Sequence, residues 1–255
     1  MTNSKTTHSK RLLSIGMAAL AMALLAGCAS STRISGQPHP DDPYESFNRN
    51  IYSFNDGLDR AVLKPVATAY QQVTPKPVRT GVSNFFANLG DAWSFVNNLL
   101  QGRGADALDS MVRFNVNTVF GLGGLLDIAS EMRVQRHKQD FGLTLGHWGV
   151  QTGPYLVLPF LGPSTIRDTA ALPVDWYAGD LVGHINDIPV RNSLYGLRYV
   201  EKRESLLNAG EVLDAAALDP YSFTRDVYLQ VRSQRIAPKK GQVENEDAGK
   251  LSDDY

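Results

Sequence analysis

The chain of 255 residues contains a single cysteine, Cys28. One thiol forms no intramolecular disulfide, and it excludes both a disulfide framework and a zinc site built on cysteines. Basic residues are not in excess, with 25 Lys and Arg against 26 Asp and Glu. A chain with no basic stripe and no net positive field lacks the electrostatic footprint of a nucleic-acid binder. No apolar run reaches the roughly 20 residues that a bilayer-spanning helix needs. The motifs of hydrolysis are missing too. There is no Gly-x-Ser-x-Gly elbow; Gly81-Val82-Ser83 and Gly162-Pro163-Ser164 each lack the second glycine. There is no His-Glu-x-x-His pair, and His137, His147 and His184 have no second ligand at helical spacing. His147, beside Trp148, reads as a partly buried structural histidine.

What is present begins at the N-terminus. Lys5, Lys10 and Arg11 precede an apolar stretch from Leu12 to Ala26, with no acid among them. This is the layout of a secretory signal. It ends in Leu25-Ala26-Gly27-Cys28, small residues leading to a thiol at the cleavage point. The arrangement resembles a bacterial lipoprotein signal, so residues 1–27 are expected to be removed and Cys28 to carry a diacylglycerol and an N-acyl chain. No other cofactor or metal is expected. Ala29, where an aspartate would resemble an inner-membrane retention signal, favours the outer membrane. Loss of the three basic residues of the signal leaves 22 basic against 26 acidic residues, a net charge of −4. Residues 28–42, polar and with two prolines, read as a tether.

From there to Phe120 the pattern is helical. Asp42 is an expected N-cap, Pro43 the first helical residue and Glu45 the capping-box acid. Tyr44, Phe47, Ile51, Phe54, Leu58 and Val62 form one apolar stripe, which Pro65 is expected to end or kink. Between Val78 and Phe120, Gly90 and Gly102-Arg103-Gly104 are expected to divide the helical run into about three pieces. Its apolar residues are interleaved with Ser94, Asn97, Asn98, Asn115 and Asn117. Such helices pack in a core or lie in a membrane interface, and composition alone favours the core.

Gly121-Leu122-Gly123-Gly124 reads as a turn or hinge. Residues 131–140 read as a polar surface segment. Residues 139–168 are dense in glycine and proline among aromatic residues, which predicts short turns, and Pro159 demotes Tyr155–Leu161 as a strand. The glycines here either pack closely or line a passage. Arg167 and Asp168 either line a polar site or make surface contacts beside a helix capped by Ser164. A helix is expected over 189–208, closed by Gly210, and another from Asp219-Pro220 to Arg235. Residues 238–255 are charged and expected to be disordered. The fold class read from this pattern is all-α with little or no sheet.

Several motifs in one order add to this reading. Asp42-Pro-Tyr-Glu-Ser-Phe-Asn-Arg49, Tyr52-Ser-Phe-Asn55, Phe141-Gly-x-Thr-x-Gly-His-Trp-Gly149, Gly153-Pro-Tyr155, Leu158-Pro-Phe160, Gly162-Pro-Ser-x-x-Arg-Asp168 and Asp219-Pro-Tyr221 resemble the MlaA (VacJ) family of outer-membrane phospholipid-transport lipoproteins. The resemblance runs from Cys28 to about Arg235. It implies a ring-like helical domain over 43–237, lying in the periplasmic leaflet of the outer membrane. An amphipathic channel through the ring would take mislocalised phospholipid from the outer leaflet. Its partners would be a trimeric porin and a soluble periplasmic lipid carrier, and it would need no catalytic residue. Candidate channel or hinge positions are Gly121, Gly123, Gly124, Gly142, Gly146, Gly149 and Gly153, with Arg167 and Asp168 as candidate polar lining. The competing readings are an envelope phospholipase and a structural lipoprotein without a lipid path.

Overall fold

A computed structural model describes residues 39–236. The expectations for residues 1–27, for Cys28 and most of the tether, and for 238–255 fall outside these residues.

The first helix, α1 (Glu45–Leu58), starts later than its sequence suggests. Tyr44 is the N-cap, with no side-chain cap bond. Asp42 is fully buried instead and accepts hydrogen bonds from Asn48 Nδ2 at 2.8 Å and Tyr221 OH at 2.5 Å. The fold therefore begins within the expected tether: Asp41 O also accepts from Tyr155 N at 2.7 Å. Pro65 does not end the helix. A π-helical turn, Asp59–Leu63, carries α1 directly into α2 (Lys64–Val73), with Lys64 N–H reaching Asp59 O. The wider turn lies just before the proline, where a missing N–H and a bulky ring would break a regular ladder.

Helix α3 (Lys76–Leu100) runs 25 residues straight through Gly90, correcting the expected break. Its packing against α4 (Gly104–Val119) offsets the modest propensity cost of one glycine. The short α5 (Ile128–Glu131) and α6 (Phe141–His147) follow, capped by Asp127 and Asp140.

Residues Tyr155–Leu158 do form a strand, β1, antiparallel to β2 (Gly162–Thr165), with Tyr155 opposite Thr165. Pro159 falls in the turn. Pro163 is tolerated because both strands of a two-stranded ribbon are edges. Two asparagines of α1 dock this ribbon. Asn48 donates to Tyr155 O at 3.0 Å and accepts from Val157 N at 2.9 Å. Asn55 donates to Leu158 O at 2.9 Å and accepts from Phe160 N at 2.8 Å. Two helical turns advance about 10.5 Å, close to the about 10 Å of three strand residues. One face of a helix thus serves as a third strand.

After β2 come α7 (Ile166–Val174), a second π-helical turn (Asp175–Gly179) and a 3-10 turn (Leu181–His184). The last helices are α8 (Ile188–Glu204), α9 (Leu207–Ala216) and α10 (Pro220–Ile236). α8 ends before Gly210, which lies inside α9 rather than closing α8. The turn at Ser205 and Leu206 separates the two helices, so no left-handed glycine is needed.

The elements meet in a closed circuit. α2 packs on α8, α8 on α3, α3 on α6, α6 on α10, α10 on β2, and β1 on α1. The result is a helical ring with one small ribbon, the all-α architecture expected.

Candidate functional site

The α3–α4 pair is packed inside out, whereas Tyr155, Val157 and Tyr221 form an ordinary apolar core beside the ribbon. In α3 the buried side chains are Asn88, Asp91, Ser94, Asn97 and Asn98. In α4 they are Asp106, Ala107, Ser110, Arg113 and Asn117. Their spacing of three and four residues makes a polar stripe on each helix, and the stripes face each other. The apolar residues turn outward: Leu99, Leu100, Leu108, Met111 and Val119 are exposed. Between α4 and α5 a loop projects Phe120 and Leu122, both about 70% exposed, with Leu125 and Leu126. Further exposed aromatics include Trp148, Phe160, Trp176 and Tyr177. Exposed apolar surface on this scale marks contact with a membrane or partner rather than water. No helix among the described residues is long and apolar enough to cross a membrane.

Arg113 holds the α3–α4 interface. It is 1% exposed. It donates to Asp91 at 3.3 Å, to both oxygens of Asp127 at 2.7 and 2.8 Å, to Ser130 at 3.2 Å and to Val134 O at 2.6 Å. Arg136 reaches Asp91 from the expected surface segment at 3.1 Å. That segment is therefore partly structural: Gln139 is buried, and Asp140 caps α6 and binds Arg232. Burial pushes the Asp91 carboxyl up against the pull of Arg136 and Arg113. At Asp127 burial is overcome by hydrogen bonds from Ser130, Asn117 and Arg113, which bring it down to about 2.

A second network lies under α6. Arg232 is bidentate to Asp140 at 2.5 and 2.9 Å and meets Asp168 at 2.8 Å. Asp168 also accepts from Arg167 at 2.9 Å and from Tyr228 OH at 2.8 Å. Burial raises Asp168, but Arg232, Tyr228 and Arg167 bring it below the usual carboxylate range. Arg167 and Asp168 are both buried, which removes the alternative of surface contacts. The helix cap beside them is Thr165, accepting from Asp168 N, and not Ser164. Ser164 Oγ bonds Thr165 O and Thr169 Oγ1. His147 is exposed. His137 contacts Asp109 and Asp106, and His184 contacts Asp180 O. No metal-binding group occurs among the described residues.

Two cavities open between these networks. One, of about 340 Å³, is lined by Trp93, Ser94, Asp140, Leu161, Asp168 and Arg232 among others. The other, of about 880 Å³, is lined by Phe86, Trp176, Asp180, Arg198, Tyr199 and Lys202 among others. Gly90, Lys138, Asp175 and Gly179 line both, so the cavities share a neck. At Gly179 a Cβ would lie 2.7 Å from the Trp93 ring, so the second π-helical turn presses directly on α3. There Trp93 Nε1 donates to Asp175 at 2.7 Å, and Phe141 N donates at 2.9 Å.

Of the residues singled out from sequence, Asp168 lines a cavity. The seven candidate channel glycines line neither of these two, and packing accounts for most of them. A Cβ at Gly121 would overlap the carbonyls of Leu126 and Asn117. Gly124, at φ +95°, would meet Asn88 at 2.7 Å. Gly142 would meet Asp168 at 2.6 Å, and Gly146 would meet Arg167 at 2.7 Å. Gly153, at φ +68°, would meet Ile166 at 3.2 Å. Gly123 and Gly149 have open space and positive φ, and form turns. Sequence reasoning missed Trp93, Lys138, Asp175 and Arg232. The polar stripe of α3 and α4 was the available signal for the interior.

Acid should weaken the ring in a definite window. Asp127 and Asp168 have folded pKa values below the unfolded value of about 3.9. Their stabilisation is complete above that value and is lost as pH falls through the folded values. Asp91 and Asp175, raised by burial, act oppositely and are relieved on mild acidification. The thermal midpoint in detergent is expected to hold or rise slightly from pH 7 to 5, then fall from pH 4 to 2. A midpoint that keeps rising to pH 2 would contradict these assignments.

Fold and site together define a class of protein: a helical ring with exposed apolar surface, buried polar networks and cavities within its wall, in which no described helix is long and apolar enough to cross a membrane. The family model described as MlaA lipoprotein matches residues 40–235, and the chain belongs to that family. It is 36% identical to the intermembrane phospholipid transport system lipoprotein MlaA of Escherichia coli (strain K12), over 95% of this chain and 96% of that protein. It is 35% identical to the protein of the same name from Haemophilus influenzae, over 87% and 88%. A solved structure described as the structural basis for maintenance of bacterial outer membrane lipid asymmetry superposes with a TM-score of 0.67. It is 34% identical and covers 77% of this chain and 99% of its own.

Proposed function

We infer that this protein conducts phospholipid at the outer membrane, taking mislocalised lipid from the outer leaflet and passing it to a soluble periplasmic carrier. The relatives' role in intermembrane phospholipid transport supports this reading. The observation that carries it is the exposed apolar surface, suited to acyl chains, of a ring that holds buried polar networks and two adjoining cavities. Cys28, acylated, delivers the ring to the periplasmic leaflet, where it lies without spanning the membrane. A trimeric porin is the partner proposed for the outward apolar surface. Transport down an existing lipid imbalance needs no catalytic group. Arg167 and Asp168 brace the polar wall.

The test is transfer of labelled phospholipid from vesicles holding the full-length lipoprotein to a periplasmic carrier. Transfer above the protein-free rate supports the reading, and release of lyso-lipid or fatty acid would instead establish a phospholipase. The projecting loop gives a second test. Phe120→Asp with Leu122→Asp removes two large side chains, each worth about 1.5–3 kcal/mol when buried. Partitioning of unlipidated protein into phospholipid vesicles should fall about 100-fold or more. Unchanged flotation would place the loop outside the lipid.

A further inference from the structure

The neck between the two cavities contains a cation that the fold leaves without a partner. Lys138 lines both cavities. The arginines on the same walls are committed: Arg232 to Asp140 and Asp168, and Arg198 to Asp180. Lys138 has no ion pair or side-chain hydrogen bond among the described residues. The acid whose field favours its charge is Asp140, both of whose oxygens are held by Arg232. Lys202, on the wall of the larger cavity, adds to the positive field, as do Arg235 and Arg136.

We propose that Lys138, supported by Lys202, is the residue that holds the phosphodiester of a phospholipid headgroup as it crosses the neck. The proposal rests on the phospholipid-transport reading above and assigns the recognition within it.

The physical argument is one of compensation. Protein atoms crowd Lys138 while the cavities let water reach it. Burial is the main cause lowering its proton affinity, and the nearby cations add to it. The side chain is exposed, so cavity water solvates its unpaired ammonium. A phosphodiester can take the place of that water through charge-assisted hydrogen bonds, and a lysine ammonium on a flexible stem can follow the group as it moves. Asp175 at the neck and Glu201 on the second wall keep the local charge near balance. They disfavour a free multivalent anion and suit the amine of a zwitterionic headgroup. The cavities fall within the about 300–1,000 Å³ of small-molecule sites, and Trp93, Leu161, Leu172 and Phe86 supply apolar wall for the adjoining acyl segment.

The experiment uses the full-length lipoprotein in detergent. Energy transfer from Trp93 and Trp176 to a dansyl lipid reads out occupancy. Two probes share the same acyl chains: phosphatidylethanolamine, and a diacylglycerol that lacks the phosphate. Lys138→Gln should weaken phosphatidylethanolamine binding about tenfold, and Lys138→Glu more than that. Lys138→Arg should stay close to the parent, and all four proteins should bind diacylglycerol equally. Equal phosphatidylethanolamine binding by the parent and Lys138→Gln would overturn the proposal and leave the transport reading intact. Parallel loss of both lipids in Lys138→Gln would also overturn it, by showing a general packing defect. A parent that binds neither lipid would instead defeat the transport reading. Inorganic phosphate at millimolar concentration is expected not to compete. Competition that Lys138→Gln abolishes would make this a free-phosphate site and overturn the lipid assignment.

Discussion

Replacing Arg113 with leucine should lower stability by about 3–5 kcal/mol, the loss seen when one partner of a buried ion pair is removed. The cause is what remains. Asp91, at 2% exposure, would keep only Arg136, and Asp127 would lose its bidentate partner. Val134 O and Ser130 Oγ would lose donors as well. Because α3 and α4 face each other through polar stripes, the leucine would face mainly polar side chains. Chemical denaturation in detergent measures the effect. The double variant Arg113→Leu with Asp91→Leu should lose less than the sum of the two singles, since it removes both charges together. Additive losses would show that the pair does not act as a unit.

Replacing Asn48 should be comparably damaging, although the residue is uncharged. Its side chain satisfies Tyr155 O, Val157 N and Asp42 together. Leucine would leave a buried carbonyl and a buried N–H unpaired, at about 1–3 kcal/mol each. Asn48→Asp should be no milder: it keeps the acceptor for Val157 N but sets a second carboxylate against buried Asp42. Asn55→Leu should cost less, because its site is only half buried and water can replace the lost bonds. Hydrogen exchange at the Val157 amide should accelerate in Asn48→Leu. Protection there unchanged from the parent would contradict the docking role.

The sequence showed the helices well and the interior poorly. The stripe of α1 and the cap-then-proline start of α10 were readable because they obey local rules. Pro65 was weighed as the point where the helix ends or kinks, and Gly90 misled as a local breaker. A π-helical turn absorbs the first, and packing against α4 carries α3 through the second. Asp42 looked like a helix cap, and only the return of Tyr221 from the far end of the chain reveals it as an anchor. The same holds for the candidate site. Asp168 was found by its place in a motif, but its partners Arg232 and Tyr228 are far away in sequence. Composition favoured a water-surrounded core for residues 84–120, whereas most of their buried side chains are polar and Leu99, Leu100, Leu108, Met111 and Val119 are exposed. The glycines of 121–153 stood out by density, and their reason is mostly close contact with Asn88, Arg167 and Asp168.

The inside-out packing also has a calorimetric consequence. Ordinary unfolding raises the heat capacity because it hydrates apolar surface, while newly exposed polar surface lowers it. A ring that buries this many amides, carboxylates and guanidinium groups uncovers more of the second kind than usual. Its heat-capacity increment per residue should fall below the usual value of about 12–15 cal/mol/K. The curve of free energy against temperature is then shallow, and cold costs this fold little of its stability.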